Sequence, residues 1–425
     1  MFEQQGDVLF QGAASEERKA FVVEHYEFNK DRSSILKHVQ LRDGGMSTSA
    51  VSVTSSPIHT DLHEAFDSYW LRQSSAPTGN DQRGRVRIVD LFSGCGALSV
   101  GIVEACRALS LGAQHVFASD INPAALSVYR NNFATAAVSG EPAETLVGRV
   151  GSRVSAAERQ LKATLGDIDV LAGGPPCQGH SDLNNHTRRH DPRNSLFEVM
   201  IRFAQLFEPK HVVIENVPGV KHDAGGVTEN GKRALLKLGY RVSHAILTAS
   251  EFGAAQRRRR YFLVATRGSF DFDALARVNK ERTLRWACED LIDLQSDSII
   301  DSHAASAKAN RERIDYLFDH DLHDLPNHMR PPCHRLKSHS YNSVYGRLKW
   351  DAPAPTITSG FNSPGQGRFV HPQERRTLTP HEAARLQSIP DFFNWGTSNR
   401  EALTQMIGNA VPPKLAYAVA LEMLR

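Results

Sequence analysis

Between Arg85 and about Arg267, short apolar runs alternate with stretches of helical spacing: "VRIVDLF", "HVFASD", "DIDVLAGG", "HVVIENV" and "YFLVAT". Runs of this length bounded by turn residues predict strands, and their alternation with helices predicts an α/β fold built on a doubly wound, mostly parallel sheet over residues 85–267. Residues 1–84 are polar and weakly periodic, apart from a helix expected around "DLHEAFDSYWLRQ", and read as an N-terminal extension, partly flexible. Within it, "DVLFQG" at Asp7–Gly12 resembles part of a protease-cleavage tag, so the first dozen residues read as non-native. From Gly268 the pattern turns polar and histidine-rich, with turns such as "DAPAP" and "NSPGQG", and predicts a smaller domain over 268–395. Helical spacing returns in "LTPHEAARLQSIP" and "PPKLAYAVALEMLR", and the final segment, 396–425, is apolar enough to pack back on the large domain as a helix.

Composition narrows the classes. With 425 residues and 40% hydrophobic content the chain can bury one large core and a second, smaller one. No apolar run reaches the length of a membrane span and no signal peptide opens the chain, so a soluble, cytoplasmic protein is expected. Cys95, Cys106, Cys177, Cys288 and Cys333 show no paired spacing, which argues against a disulfide framework. A net charge of +3 means that any nucleic-acid surface must be local.

The chemistry-bearing residues gather where strands are expected to end. After "VRIVDLF" comes "SGCGALSVGIVEACRAL", where Gly94 and Gly96 allow close approach to the backbone before a helix N-terminus. Asp120 ends the next strand, ahead of an Asn122-Pro123 helix start. With the glycine loop ahead of it, it suits two ribose hydroxyls; without that loop, a carboxylate favoured by the helix dipole would fit about equally. "GGPPCQGHS" places Cys177 in a turn stiffened by two prolines, beyond the edge of the sheet where ligands bind. In "VVIENVPG", Glu215 follows three apolar residues and should carry a raised pKa. In "AAQRRRRYFLVAT", an extended backbone would send Arg258 and Arg260 to one side and Arg257 and Arg259 to the other. The run "HDLHDLPNHMRPPCHRLKSH" has the residue types of a zinc site without the spacing of one, and reads as a polar surface segment with no metal.

Together these stretches resemble the cytosine-5 DNA methyltransferase family, of the bacterial modification type, from roughly Arg87 to the C-terminus. "DLFSGCGALSVG" resembles the family's cofactor loop, "GGPPCQGHS" the nucleophile loop, "IENVPG" the catalytic acid motif, and "QRRRR" the Gln-x-Arg-x-Arg motif. "RTLTPHEAARLQSIPD" resembles the motif bracing the small domain, and "QMIGNAVPP" the C-terminal motif that returns to the cofactor. The resemblance implies a flipped-out cytosine in double-stranded DNA, methylated at C5 after Cys177 adds to C6. It implies roles for Glu215 at N3 and the exocyclic amine, for Arg260 at the base carbonyl, and for Arg258 in support.

The implied cofactor is S-adenosylmethionine, held by Phe92, Ser93, Gly94, Cys95, Gly96, Asp120, Ile121, Pro176, Leu196, Asn409 and Ala410. Gln178 and Ser181 would belong to a loop closing over the base. Arg257, Arg330, Arg335 and Lys337 are candidate DNA contacts, with base reading assigned to about Gly268–Tyr345. A cognate restriction endonuclease is the natural partner of a modification-type member. The sequence departs from the family at Ala97, where glycine is common, at His180, and in "VGRVGSRVSAAERQL", which lacks the usual acid for the adenine amine.

Two other functions compete. Methylation of tRNA by RNA-directed relatives is opposed by the long segment between "QRRRR" and "YGRLKWDAPAPTIT", as a duplex-reading domain requires. A DNA-binding pseudoenzyme is opposed by the joint presence of Cys177, Glu215 and Arg260. A dehydrogenase would have no use for a Pro-Pro-Cys loop.

Overall fold

Regular structure begins upstream of the region expected to hold it. The computed structural model describes residues 24–53, 61–134, 137–176, 196–222, 226–336, 344–397 and 399–425, and in it the supposed extension carries an antiparallel sheet. Its strands are β1 (Glu24–Phe28), β2 (Ser34–Gln40) and β3 (Met46–Ser52). Burial alternates strictly along β3, but two of its three buried positions are Ser47 and Ser49, and the centre of β2 buries Lys37. A period of two written in hydroxyls and an ammonium does not read as hydrophobic alternation. The helix expected nearby spans Leu62–Arg72, with the Asp61 side chain accepting from the amides of His63 and Glu64.

Among the described residues the large sheet has seven strands: β4 (Arg85–Leu91), β5 (Gly112–Ser119), β6 (Val138–Ser139), β7 (Val170–Gly173), β8 (His211–Asn216), β9 (Arg241–Thr248) and β10 (Arg259–Thr266). Their spatial order is β6-β5-β4-β7-β8-β10-β9, parallel from β6 through β8, with β10 antiparallel to both of its neighbours. The chain winds outward from β4 to β6, then returns to the other side of β4. A switch point therefore lies between β4 and β7, where an open α/β sheet leaves a crevice beyond its carboxyl ends.

Alternate residues of the strands feed two separate cores. On β10, Phe262 and Val264 enter a core shared with the helices Ala97–Ala108 and Pro413–Leu424, while Tyr261, Leu263 and Ala265 enter one shared with Leu196–Phe207. A third core joins Ala65–Leu71 of the N-terminal helix to Ala97 and Val100, to Leu284–Cys288, and to residues of 348–410. A fourth core lies within the segment expected to form a smaller domain, where Ile314 and Leu317 of the helix Lys308–Asp319 pack on Leu325, Tyr345 and Val370. The C-terminal segment contains two helices, Arg400–Asn409 and Pro413–Leu424, where one had been expected. Among the described residues no helix is long and apolar enough to cross a membrane.

The second of those helices crosses Ala97–Ala108 at Gly101. A Cβ there would stand 2.3 Å from the carbonyl oxygen of Pro413, 2.6 Å from Ala416 Cβ and 2.7 Å from the Tyr417 nitrogen. Backbone atoms cannot swing away as a side chain can, so Gly101→Val must separate the two helices. We expect it to destabilise the fold by about 1–3 kcal/mol or more, the cost of overpacking, read as a lowered urea midpoint. An unchanged midpoint would mean that the helices do not approach this closely.

Candidate active site

The antiparallel β10 starts where β8 ends. Phe262 lies opposite Glu215, so Arg260, two residues earlier on the same face, reaches diagonally across to the Glu215 carboxylate. Arg260 Nε lies 2.8 Å from Glu215 Oε1, in a pair whose side chains are 14% and 9% exposed. Burial pushes the Glu215 carboxyl above the ordinary glutamate range, and the nearby Arg260 and Arg258 guanidiniums offset part of that rise.

The loop after β7 leaves the sheet beside this carboxylate. A Cβ on Gly174 would stand 3.1 Å from Glu215 Oε2, and Asn216 Nδ2 donates to the Pro175 carbonyl at 3.1 Å. Pro176 is half-buried. Cys177, Gln178, His180 and Ser181 lie outside the described residues, as does Lys337. Of the other cysteines, Cys95 and Cys106 are buried and their thiols are pushed up to about 12 by that burial, which leaves them no thiolate character near neutral pH.

Across the switch point, β4 runs into Phe92, Ser93, Gly94, Cys95 and Gly96. Phe92, Gly94 and Gly96 have φ of 55°, 55° and 95°, a left-handed turn that ends at the start of the helix Ala97–Ala108. The two glycines differ in purpose. A Cβ on Gly94 would meet nothing within 4 Å, so that position opens to a ligand. One on Gly96 would stand 2.3 Å from Phe133 Cε2 and 2.9 Å from Tyr129 Cδ2, so Gly96 answers to packing. Ser93 and Cys95 are buried.

Asp120 ties this turn to the next strand. Its Oδ2 accepts from the Gly94 amide at 2.8 Å and its Oδ1 from the Asn122 amide at 2.8 Å. Each carboxylate oxygen retains a lone pair, so these bonds leave room for ribose hydroxyls. Ile121, beside it, exposes 70% of its surface, and Leu196 is half-buried. Because the Pro413 carbonyl lies against Gly101, one turn into the helix, exposed Asn409 and buried Ala410 lead in beside the same turn. An open left-handed turn, a bare apolar side chain and a carboxylate with spare acceptors fit a nucleoside with a charged tail.

The four arginines have separate tasks. Arg258 is 1% exposed and donates through Nη1 to the Ile357 carbonyl at 2.6 Å and through Nη2 to the Gly408 carbonyl at 2.9 Å. It therefore braces the approach to Asn409, and Arg260 alone of the four pairs with Glu215. Arg257 is exposed and pairs with Glu281 at 2.7 Å, while Arg259 is exposed. Gln256 completes the brace: its amide meets the Leu386 carbonyl at 3.1 Å and the Gln387 side chain, and its carbonyl oxygen accepts from Ile357 N at 3.1 Å. Arg330 donates to the Leu325 carbonyl at 3.0 Å, and Arg335 is exposed.

One residue under the left-handed turn at 92–96 escaped the sequence reading. Asp90 on β4 is 1% exposed, accepts from Ser99 Oγ at 2.6 Å, and is pushed up to about 7 by burial. Its signal was a carboxylate inside the apolar run "RIVDLF".

Comparison with known proteins bears on this site. The family model for C-5 cytosine-specific DNA methylase matches residues 86–425. The Type II methyltransferase M1.BsuMI of Bacillus subtilis (strain 168) is 45% identical over 406 residues, covering 94% of this chain and 95% of that protein. The Type II methyltransferase M1.HphI of Haemophilus parahaemolyticus is 30% identical over 349 residues, 79% of this chain and 86% of its own. Among solved structures, S. pombe Dnmt2 methyltransferase superposes with a TM-score of 0.57 at 20% identity, over 79% of this chain and 98% of its own, a likeness of fold. By the match over 86–425 and by its identity with a Type II enzyme along nearly the whole length, the chain belongs to the C-5 cytosine-specific DNA methylase family and is a DNA (cytosine-5)-methyltransferase.

Proposed function

We propose that the chain methylates C5 of a cytosine flipped out of duplex DNA, through a covalent bond between Cys177 and C6. The observation that carries this reading is the buried Glu215–Arg260 pair, at 2.8 Å, beside the first residues of the Pro-Pro-Cys loop. Cytosine C5 is too weak a nucleophile to take a methyl group directly. Addition of the Cys177 thiolate to C6 breaks the C5–C6 double bond and moves its electron pair into the ring, where a proton shared with Glu215 at N3 absorbs the charge. A carboxyl whose pKa is raised by burial keeps that proton at a higher pH than an ordinary glutamate does. Arg260, on the same side, is placed to hold the base carbonyl while it balances the carboxylate. The C5 carbon then takes the methyl group, loses its proton, and expels the thiolate. C6 is inaccessible within the base stack, which is why the base must leave the helix.

S-adenosylmethionine supplies the electrophilic methyl when bound. Asp120 would hold its ribose, Phe92 and Ile121 its adenine, and the turn at Gly94 its methionine portion, with Pro176, Leu196, Asn409 and Ala410 around it. DNA is the substrate, the small domain is its sequence reader, and a restriction endonuclease of the same specificity is the partner of a Type II modification role.

Four outcomes test this. Cys177→Ala should abolish methyl transfer while retaining DNA binding, and duplex DNA with 5-fluorocytosine at the target should trap the wild-type enzyme covalently, since fluorine cannot leave as a proton. Residual turnover in the variant, or no adduct with active enzyme, would remove C6 addition. Glu215→Gln preserves shape but cannot share a proton in the same way, so the turnover rate should drop by ~10²–10⁴-fold with cofactor affinity unchanged; full activity would reassign the carboxyl. Asp120→Ala should weaken S-adenosylmethionine binding by ~1.5–3 kcal/mol in calorimetry, the worth of a charge-assisted hydrogen bond. Unaltered affinity would leave Asp120 only its two backbone amides.

A further inference from the structure

The helix Leu62–Arg72 lies upstream of the family match, which begins at residue 86, yet every residue from Ala65 to Leu71 is buried. A match covering 94% of this chain must extend upstream of residue 86, so the B. subtilis relative shares at least part of this region. On one side the helix holds the cofactor lobe. Trp70 Nε1 donates to Glu104 Oε2 at 3.1 Å, on the helix behind the cofactor turn, and Asp67 pairs with Lys414, on the first turn of the C-terminal helix.

On its other side the helix holds the segments by which the chain enters and leaves the small domain, around residues 282–290 and Asp391. Arg72 Nη2 donates to the Trp286 carbonyl and to Asp290 Oδ1, both at 2.7 Å. Arg282 Nη1 meets Glu64 Oε2 at 3.4 Å while its Nη2 lies 3.8 Å from Asp67, and the Asp391 amide donates to the Leu71 carbonyl at 2.9 Å. Asp67 thus draws its cationic neighbours from both lobes: Lys414 from one and Arg282 from the other, beside His63 at 3.5 Å on its own helix. A buried carboxylate that needs both to balance its charge resists separation of the lobes.

We propose that the helix Leu62–Arg72 is a strut that fixes the angle between the cofactor lobe and the small domain, and so sets the width of the cleft that receives duplex DNA. It is a positioning element, acting through the lobes it joins. The proposal rests on the reading of the small domain as the DNA reader.

Arg72→Met keeps the aliphatic stem and removes the Trp286 and Asp290 bonds, leaving Trp70 and Asp67 in place. Two readouts apply. In the DNA-free protein, amide hydrogen exchange over Leu284–Leu291 should accelerate. In methylation assays the KM for duplex DNA should rise roughly three- to tenfold, as for partly exposed charge-assisted bonds, with S-adenosylmethionine affinity unchanged and with partial recovery in Arg72→Lys. Unchanged exchange overturns the strut whatever the enzyme's activity. With an active wild type, an unchanged KM for DNA, or equal losses in DNA and cofactor binding, overturns it as well. A wild type that does not methylate DNA would defeat the parent reading alone, and faster exchange in Arg72→Met would still support the strut. Should that variant fail to fold, Glu64→Gln, which weakens the contact with Arg282, carries the same two readouts.

Discussion

The site depends on one reversed strand. In a wholly parallel sheet each strand contributes only its carboxyl end to the crevice, and the residues preceding a strand fall on the opposite edge. Because β10 runs against β8, its first residues arrive where β8 finishes, with Tyr261 opposite Asn216 and Phe262 opposite Glu215. That register lays Arg260 along Glu215 and carries Gln256 and Arg258 to the same edge of the sheet. A slip of one residue would turn Arg260 to the opposite face and put Arg259 in its place, with no buried carboxylate for the first and no solvent for the second.

The same edge explains why so many charged groups are buried here. Burying Arg258 costs desolvation, and its pKa is lowered accordingly, but the carbonyls of Ile357 and Gly408 accept from it and hold two distant segments against the strand. Gln256 and Gln387 extend the brace to Leu386 and Ile407. The segments around Ile357, Leu386 and Gly408 are therefore fastened to the start of β10 by polar contacts that work in only one geometry, whereas apolar packing alone would tolerate sliding. Specificity of position is what such a network contributes, and methyl transfer to a single carbon of a cytosine requires it.

Much of this was readable in the chain. The strands of the large sheet are apolar runs with turn residues at their ends, and the hydrophobic effect acts on such runs locally enough that β4, β5, β7, β8 and β10 could be placed from pattern alone. The residues expected at their ends follow directly, since a strand's end is set by where its apolar run stops. Alternation likewise separated Arg258 and Arg260 from Arg257 and Arg259. The N-terminal sheet was hidden because its inward positions are Ser47, Ser49 and Lys37, residues whose burial is made possible by partners far along the chain, such as Ser110 for Ser47 and Tyr417 for Lys37.

Which arginine meets which group was a matter for the tertiary structure. Sequence puts four guanidiniums in a row and cannot distinguish a carboxylate partner on β8 from a carbonyl partner at Gly408, because both come from segments tens to hundreds of residues away. The same holds for Gly94 and Gly96, alike in sequence, one open to a ligand and the other pressed against Phe133 and Tyr129. Sequence by itself determined the strands, the turns and the residue types at the sheet's edge, since these follow from local pattern and from backbone freedom. The register of β10, the brace through Arg258 and the burial of the N-terminal helix were decided only on folding, because electrostatic and packing energies depend on distances that the chain acquires when its remote segments meet.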